Sequence, residues 1–537
     1  MNKHEYRMIF MGECALKIDK KSLLYGTAVL TAANIFVRLL GFIYRIFLSR
    51  TIGPQGIGIS QLIFPLFMIA ISITSSGLSI AVSRLVAQRN AERDYAGIKM
   101  VVTASSFIVF ILSVIVSLLI YMNSNFIISH ILREERVRIG LYIITPCILI
   151  SGLGSVLKGY FYGLKNVHPS ALAEIVEQIV RMFLVFSLLI YIPNKSDEIS
   201  AAIIVFGMVI GELASMLYLS HTYKNSVGNA RAFSKKNKHS LTETFGQILS
   251  IAVPVSITRI VMSLLNAANS ILIPRQLMAS GMTNHEAVGI YGIVTGMVMP
   301  LLFLPFTIIS SLSVMIIPNI SENMTIKNYT DIKIKIYKSI RISSITAFFF
   351  MGILIPFGYP IGMILYNQPL VGKYIIPLAS VLIFQCLQHN LSSILNGLGK
   401  QNIAALNIII GGFIQTGCTY YLACKPEWGI KGYILGYILS TITVFLLNFI
   451  HVIMTINIRF EINKCFIQPA LISLFMGLAM RLLYIFLVHS HITYGIALVI
   501  CLLCGFIIEV LFLMQTGVSQ VHIFRAGRKQ SIYNRTI

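Results

Sequence analysis

The sequence predicts an all-α polytopic membrane protein of fourteen transmembrane helices, built as two parallel six-helix repeats plus two extra C-terminal helices. Three observations lead there. The 537 residues are 56% hydrophobic and 11% charged, with a mean hydropathy of +0.82, which excludes a soluble globule. Apolar runs of bilayer-spanning length, about 20 residues, recur from one end to the other. The basic residues gather in alternate connections, as they do in a membrane protein of fixed orientation.

The apolar segments fall at roughly 22–48, 58–83, 99–122, 139–163, 169–192, 199–222, 245–274, 288–317, 339–365, 374–397, 402–423, 430–455, 464–487 and 492–514. The first 21 residues carry both signs of charge, and no small-residue cleavage site follows the first run. It therefore reads as a permanent helix. Within it Asn34, Arg38, Gly41 and Arg45 stand at i, i+4, i+7 and i+11, one polar stripe roughly 16 Å long. A guanidinium facing lipid costs about 3 kcal/mol or more, so Arg38 must face protein interior or a water-filled cavity. It is either a neutralised structural arginine or an anion-binding group. Two cations on one face, with no acid in that segment, favour anion binding. The second segment begins after Gly53-Pro54-Gln55-Gly56, a turn signal, and carries Pro65.

The fifth segment holds Glu174, Glu177, Gln178 and Arg181. Glu177 and Arg181, at i and i+4, can pair along one face, as a structural pair or as a coupling site. The sixth carries Glu212 with Gly207 and Gly211, the small residues of close helix packing, which favours a structural role. The seventh has Pro254 and Pro274, which bend a helix, Arg259 near its midplane, and Asn266 and Asn269 beyond. The ninth is interrupted by Pro356 and Pro360. The tenth shows a stripe of Gln385, Gln388, His389, Ser392 and Asn396. His389 reads as a hydrogen-bonded interior histidine before a proton carrier. In the fourteenth, Glu509 has no partner in sequence, and Cys501 and Cys504 have CxxC spacing inside an apolar helix with no histidine nearby. No metal and no cofactor is expected.

An internal repeat sets the organisation. Leu30-Thr-Ala-Ala-Asn34 matches Leu265-Asn-Ala-Ala-Asn269 at an offset of 235 residues, and Phe64-Pro65-Leu66 matches Met299-Pro300-Leu301 at the same offset. Gly163-Leu164 matches Gly397-Leu398 at 234. The offset carries the first segment onto the seventh, so each repeat has six helices and both run the same way through the membrane. The expected divisions are a cytoplasmic segment 1–21, a first lobe 22–222, a cytoplasmic linker 223–244, a second lobe 245–455, the two extra helices at 464–514 and a cytoplasmic tail 515–537. Asn34 has its mate in Asn269, but Arg38 aligns with Ile273 and Arg45 with Ser280, so the first repeat alone carries the cationic stripe.

The net charge of +23 invites a nucleic-acid partner, but its distribution argues against one. Lys and Arg concentrate at 3–21, 84–99, 224–238, 327–338 and 525–535, and the connections between hold few, chiefly Arg133, Arg136 and Arg138. This bias places both termini in the cytoplasm and sets the basic loops against anionic membrane lipids.

Residues 36–56, FVRLLGFIYRIFLSRTIGPQG, followed by Gln61-Leu-Ile-Phe-Pro65, resemble the opening of the stage V sporulation protein B group. These are polysaccharide-biosynthesis-type transporters of the multidrug/oligosaccharidyl-lipid/polysaccharide exporter superfamily. Residues 169–181, PSALAEIVEQIVR, are similar to that group's fifth-helix motif. The resemblance implies a flippase for an undecaprenyl-pyrophosphate-linked glycan, a lipid II-like peptidoglycan precursor for spore cortex. It also implies two lobes around a cationic cavity, a lipid-tail groove on the last two helices, and other cell-wall synthesis proteins as further partners. Relatives that flip lipid II carry an arginine where Arg38 stands, and a second where this chain has Tyr44 with Arg45 beside it. The substrate-binding set expected is Arg38, Arg45, Asn34, Arg259 and Asn269, and the coupling or structural set Glu177, Arg181, Glu212 and His389. No catalytic residue is expected. The alternatives are a cation-coupled multidrug exporter, which wants an acidic cavity, a glycan polymerase, which wants carboxylates on large outer loops, and a non-transporting membrane partner.

Overall fold

The computed structural model describes residues 23–192, 195–230, 240–458 and 461–515, so the segment 1–21, most of the tail and the centre of the linker lie outside the described residues. Among the described residues every regular element is helical. Among the described residues ten helices are long and apolar enough to cross a membrane, or up to twelve if each of two bent pairs is one span. This is an all-helical polytopic membrane protein.

Two compact units divide the chain. One runs to Gly292 and includes Cys424–Pro426; the other holds Ile293–Ala423 and Glu427 onward. The first unit contains α1 (Leu23–Thr74), α2 (Ser76–Ala91), α3 (Tyr95–Met122), α4 (Cys147–Gly163), α5 (His168–Tyr191), α6 (Asp197–Ala230), α7 (Leu241–Ala279) and α8 (Asn284–Tyr291). α1 is two helices joined at a kink at Gly53, whose φ of 67° and ψ of −173° break the helical run. An L side chain is strained at that φ, which is why glycine stands before Pro54. Although α7 follows the linker, it packs on α1, α2 and α3. Ile248 and Ala252 of α7 join a core with Leu78, Val82, Leu85 and Val86 of α2, Val101 of α3, and Val156 and Phe161 of α4.

Polar ties close both ends of this unit. At one, Arg89 is 1% exposed, donates from Nη2 to Gln247 Oε1 at 2.9 Å and faces Asp94 Oδ2 at 3.6 Å. Asp94 Oδ1 also accepts from the Gly97 amide at 2.9 Å, capping α3. At the other, Gln55 Nε2 donates to the His285 carbonyl at 2.6 Å, and the Tyr291 hydroxyl donates to the Gln61 carbonyl at 3.2 Å. There Arg136 grips Glu134 with two bonds of 2.7 and 2.8 Å. Burial pushes the Glu134 carboxyl up, but the Arg136 hydrogen bonds and charge outweigh it and hold the group below its ordinary range.

The second unit contains α9 (Phe306–Thr325), α10 (Tyr329–Tyr366), α11 (Pro369–Ala379), α12 (Leu382–Gly397), α13 (Gln401–Leu422), α14 (Ile430–Ile456), α15 (Gln468–His489) and α16 (Tyr494–Gln515). Its interior is knitted by neutral polar pairs. Asn390 accepts from Ser339 at 2.8 Å and donates to Ser343 at 2.9 Å, Ser393 donates to Ser313 at 2.8 Å, and Asn448 accepts from Asn407 and donates to Ser392, both at 2.9 Å. Such amide–hydroxyl bonds join helices where no hydrophobic effect drives them together. Large apolar side chains such as Phe183, Ile190, Phe475 and Leu482 point outward, the surface a lipid solvent requires.

A charged cluster in the first unit

The intramembrane charges of the first unit meet where α4, α5 and α6 pack, with α1 alongside. Arg181 Nη2 pairs with Glu177 Oε1 one turn earlier on α5, and Lys158 Nζ of α4 lies 3.8 Å from Glu174 Oε1. Glu212 of α6 is half-buried and lies in the field of Glu177, Lys158 and Arg181. Gly211 permits this approach: a Cβ there would sit 2.8 Å from the Glu177 carbonyl oxygen and 3.2 Å from Arg181 Cβ.

On α1, Asn34 and Arg38 are exposed on the unit and Arg45 is half-buried. Tyr44 is buried, its ring stacked 6.0 Å from Phe186 of α5, and its hydroxyl lies in the field of Arg181 and Arg45. One turn back, Gly41 faces Gln178, whose Nε2 is 3.8 Å from where a Cβ would stand. The α1 face that meets α5 is thus Gly41 and Tyr44. On α7, Arg259 and Asn266 are exposed, whereas Asn269 is buried and donates to the Leu265 carbonyl of its own helix at 3.2 Å. His389 belongs to the second unit, half-buried on α12, with the Phe306 ring edge-on at 5.3 Å.

So the structure brings Glu177, Arg181 and Glu212 together and sets Arg45 near them through Tyr44. Among the described residues no hydrogen bond or ion pair joins Asn34 or Arg259 to that cluster. Sequence reasoning missed Lys158. The signal was there, since a lysine inside an apolar segment is rare enough to demand a partner. Among the described residues no group of three or more His, Cys, Asp or Glu could hold a metal ion. The cluster as a whole is two cations against three carboxylates, an arrangement for holding or moving charge inside a membrane.

Residues 23–324 match the model of the family described as polysaccharide biosynthesis protein. The chain is 31% identical over 456 residues to stage V sporulation protein B of Bacillus subtilis (strain 168), which covers 84% of this chain and 88% of the relative. It is 24% identical over 463 residues to lipid II flippase MurJ of the same organism, covering 79% of this chain and 82% of the relative. Among solved structures it is similar to lipid II flippase MurJ in an inward closed conformation, with a TM-score of 0.67 at 16% identity over 91% of this chain and 99% of that one. The protein is a multi-pass membrane protein. The chain belongs to the polysaccharide biosynthesis protein family and is related to stage V sporulation protein B.

Proposed function

We propose that this membrane protein is a flippase that moves an undecaprenyl-pyrophosphate-linked glycan, a lipid II-like peptidoglycan precursor for spore cortex, across the cytoplasmic membrane by alternating access. The observation that carries the proposal is the cationic stripe of α1, Arg38 and Arg45 on a helix without an acid in its membrane-spanning part. The relatedness to stage V sporulation protein B and to lipid II flippase MurJ supports it.

A sugar–pyrophosphate headgroup cannot cross hydrocarbon unaided. Arginine meets phosphate oxygens with two parallel charge-assisted bonds and stays charged at any relevant pH. In this reading Arg38, Arg45 and Asn34, with Arg259 and Asn269, line the path of the headgroup while the prenyl tail stays in lipid beside α15 and α16. Fourteen spans in two six-helix repeats, with both termini cytoplasmic, complete the arrangement; the basic connections at 84–99 and 327–338 then lie inside. An inside-negative potential favours outward movement of the anion by roughly 2.3 kcal/mol per charge per 100 mV.

The test is reconstitution. Proteoliposomes of the purified chain should move a labelled undecaprenyl-pyrophosphate-linked disaccharide between leaflets, faster than empty vesicles. Export of cationic dyes with no movement of the lipid-linked sugar would replace this reading with that of a drug exporter.

A further inference from the structure

We propose that His285 is a proton-responsive latch on the break in α1. Neutral, it takes two hydrogen bonds from Gln55; protonated, it gives one of them up and is drawn to Asp197. The geometry begins at the break. Gly53 ends the first half of α1, and Gln55, two residues on, meets the first turn of α8. The backbones approach closely there. A Cβ on Gly58 would sit 2.2 Å from the Val288 carbonyl oxygen, and one on Gly292 2.2 Å from the Pro54 carbonyl oxygen. A Cβ on Gly289 would lie 2.5 Å from Gln55 Nε2, so the amide is wedged against the backbone of α8.

Two distances set the tautomer. The Gln55 atom 2.6 Å from the His285 carbonyl oxygen is the amide nitrogen, since two oxygens would repel at that range. The same nitrogen stands 3.0 Å from His285 Nδ1, which therefore accepts its second N–H and carries no proton. The imidazole proton is then on Nε2, which faces Asp197 Oδ2 of α6 at 4.0 Å.

A second proton can go only to Nδ1. It turns that acceptor into a donor facing the N–H of Gln55. Gln55 Oε1 is buried and, among the described residues, accepts no hydrogen bond, so a turn of the amide offers it to the new N–H. The same turn strips the His285 carbonyl of its donor. Either way one of the two side-chain ties between α1 and α8 is lost, while the imidazolium is attracted to Asp197. The proton comes from bulk water, and no covalent bond between heavy atoms changes. Around the imidazole stand Asp197 and Glu198 of α6, Glu134 and Arg136 of the 134–136 turn, and Glu286 of α8 itself, held in its cap by Thr283. Arg136 Nη1 is 3.7 Å from the same Asp197 oxygen. α1 and α7 also pack on α8, and their charged residues nearest the contact along the chain are Arg50 and Arg275. Histidine is the side chain whose charge ordinarily changes between pH 5 and 8. The latch rests on these contacts; its bearing on transport rests on the function proposed above.

Spin labels at Ile43→Cys and Met68→Cys, both exposed and one on each half of α1, test it. The full-length chain, cleared of native cysteines, is held in liposomes without substrate. The label-to-label distance distribution should shift or broaden between about pH 8 and about pH 5. In His285→Asn, whose Oδ1 replaces Nδ1 as acceptor and takes no charge, it should keep its alkaline form at both. The His285 side chain is 65% exposed, so this variant removes no core packing. Asp197→Asn removes the anion beside Nε2 and should move the change to lower pH. Identical distributions at the two pH values overturn the proposal, as does a change that persists in His285→Asn. A change at unaltered pH in Asp197→Asn overturns the pairing with Asp197. In flipping assays the rate should change about 5-fold or more over the same range, the lower end of ordinary coupling energies, and His285→Asn should be flat. A pH-independent rate overturns the bearing on transport. A protein that flips nothing at any pH refutes the flippase reading and leaves the label result standing.

Discussion

Breaking the Glu177–Arg181 pair should be worse than deleting it. The side chains are 14% and 24% exposed, so the pair is largely desolvated, and removing one partner of such a pair costs about 3–5 kcal/mol. The neighbourhood makes the two halves unequal. Arg181→Gln leaves Glu174, Glu177 and Glu212 against Lys158 alone, and we place it at about 3 kcal/mol. Glu177→Gln leaves Arg181 within the field of Glu212, which partly replaces the lost partner, and we place it at about 2 kcal/mol. The double replacement strands neither charge and should cost about 1 kcal/mol, less than either single replacement, a coupling energy of about 4 kcal/mol that lies above the 0.5–3 kcal/mol usual for contacting residues because each single replacement leaves a desolvated charge behind. Reversible unfolding in mixed micelles, run on the four proteins of the cycle, measures all three values. Additive single costs would show that the two side chains do not act as a pair. A glutamate substitution more damaging than the arginine substitution would refute the charge balance assigned to the cluster.

Three other outcomes follow from the same geometry. Gly211→Ala should destabilise by about 2 kcal/mol in that unfolding assay, because its Cβ meets the Glu177 carbonyl at 2.8 Å, whereas Gly246→Ala, with nothing within 4 Å, should be neutral or stabilising. Asp94→Ala should cost about 3–4 kcal/mol, losing the α3 cap and stranding Arg89, while Asp94→Asn keeps the cap and should fall between that variant and wild type. In a chain cleared of native cysteines, Cys at Lys195 should react with an impermeant thiol reagent in intact cells and Cys at Lys236 should not; the reverse labelling would invert the proposed orientation.

What could be read from the sequence was whatever a single helix encodes. The i, i+4 spacing of Glu177 and Arg181 announces their pair, and Gly207 and Gly211 announce a close helix crossing, because each lies within one periodic segment. Gly53 before Pro54 announces the break in α1. Partnerships across helices were not legible. Lys158 disappeared into an apolar run, and nothing in the spacing of Asp94, Arg89 and Gln247 says that three elements converge on one guanidinium. The place of α7 shows the same limit. The repeat expected from sequence would set it at the head of the second lobe, while packing sets it with α1, α2 and α3, because a division read from sequence similarity need not follow contact. Tyr44 and Gln178 could be named from sequence, but their unmet hydrogen-bonding atoms could not, because burial depends on α5 lying against α1.

The central claim is that an arginine of α1 holds the pyrophosphate, and the rate of lipid-linked precursor flipping per folded molecule tests it most directly. Arg38→Ala should leave a folded protein in the membrane that flips no substrate. Arg38→Lys should recover part of the rate, because an ammonium keeps the charge and loses the two-pronged geometry. Normal flipping by Arg38→Ala, or a loss of folded protein that accounts for all of the lost rate, would contradict it.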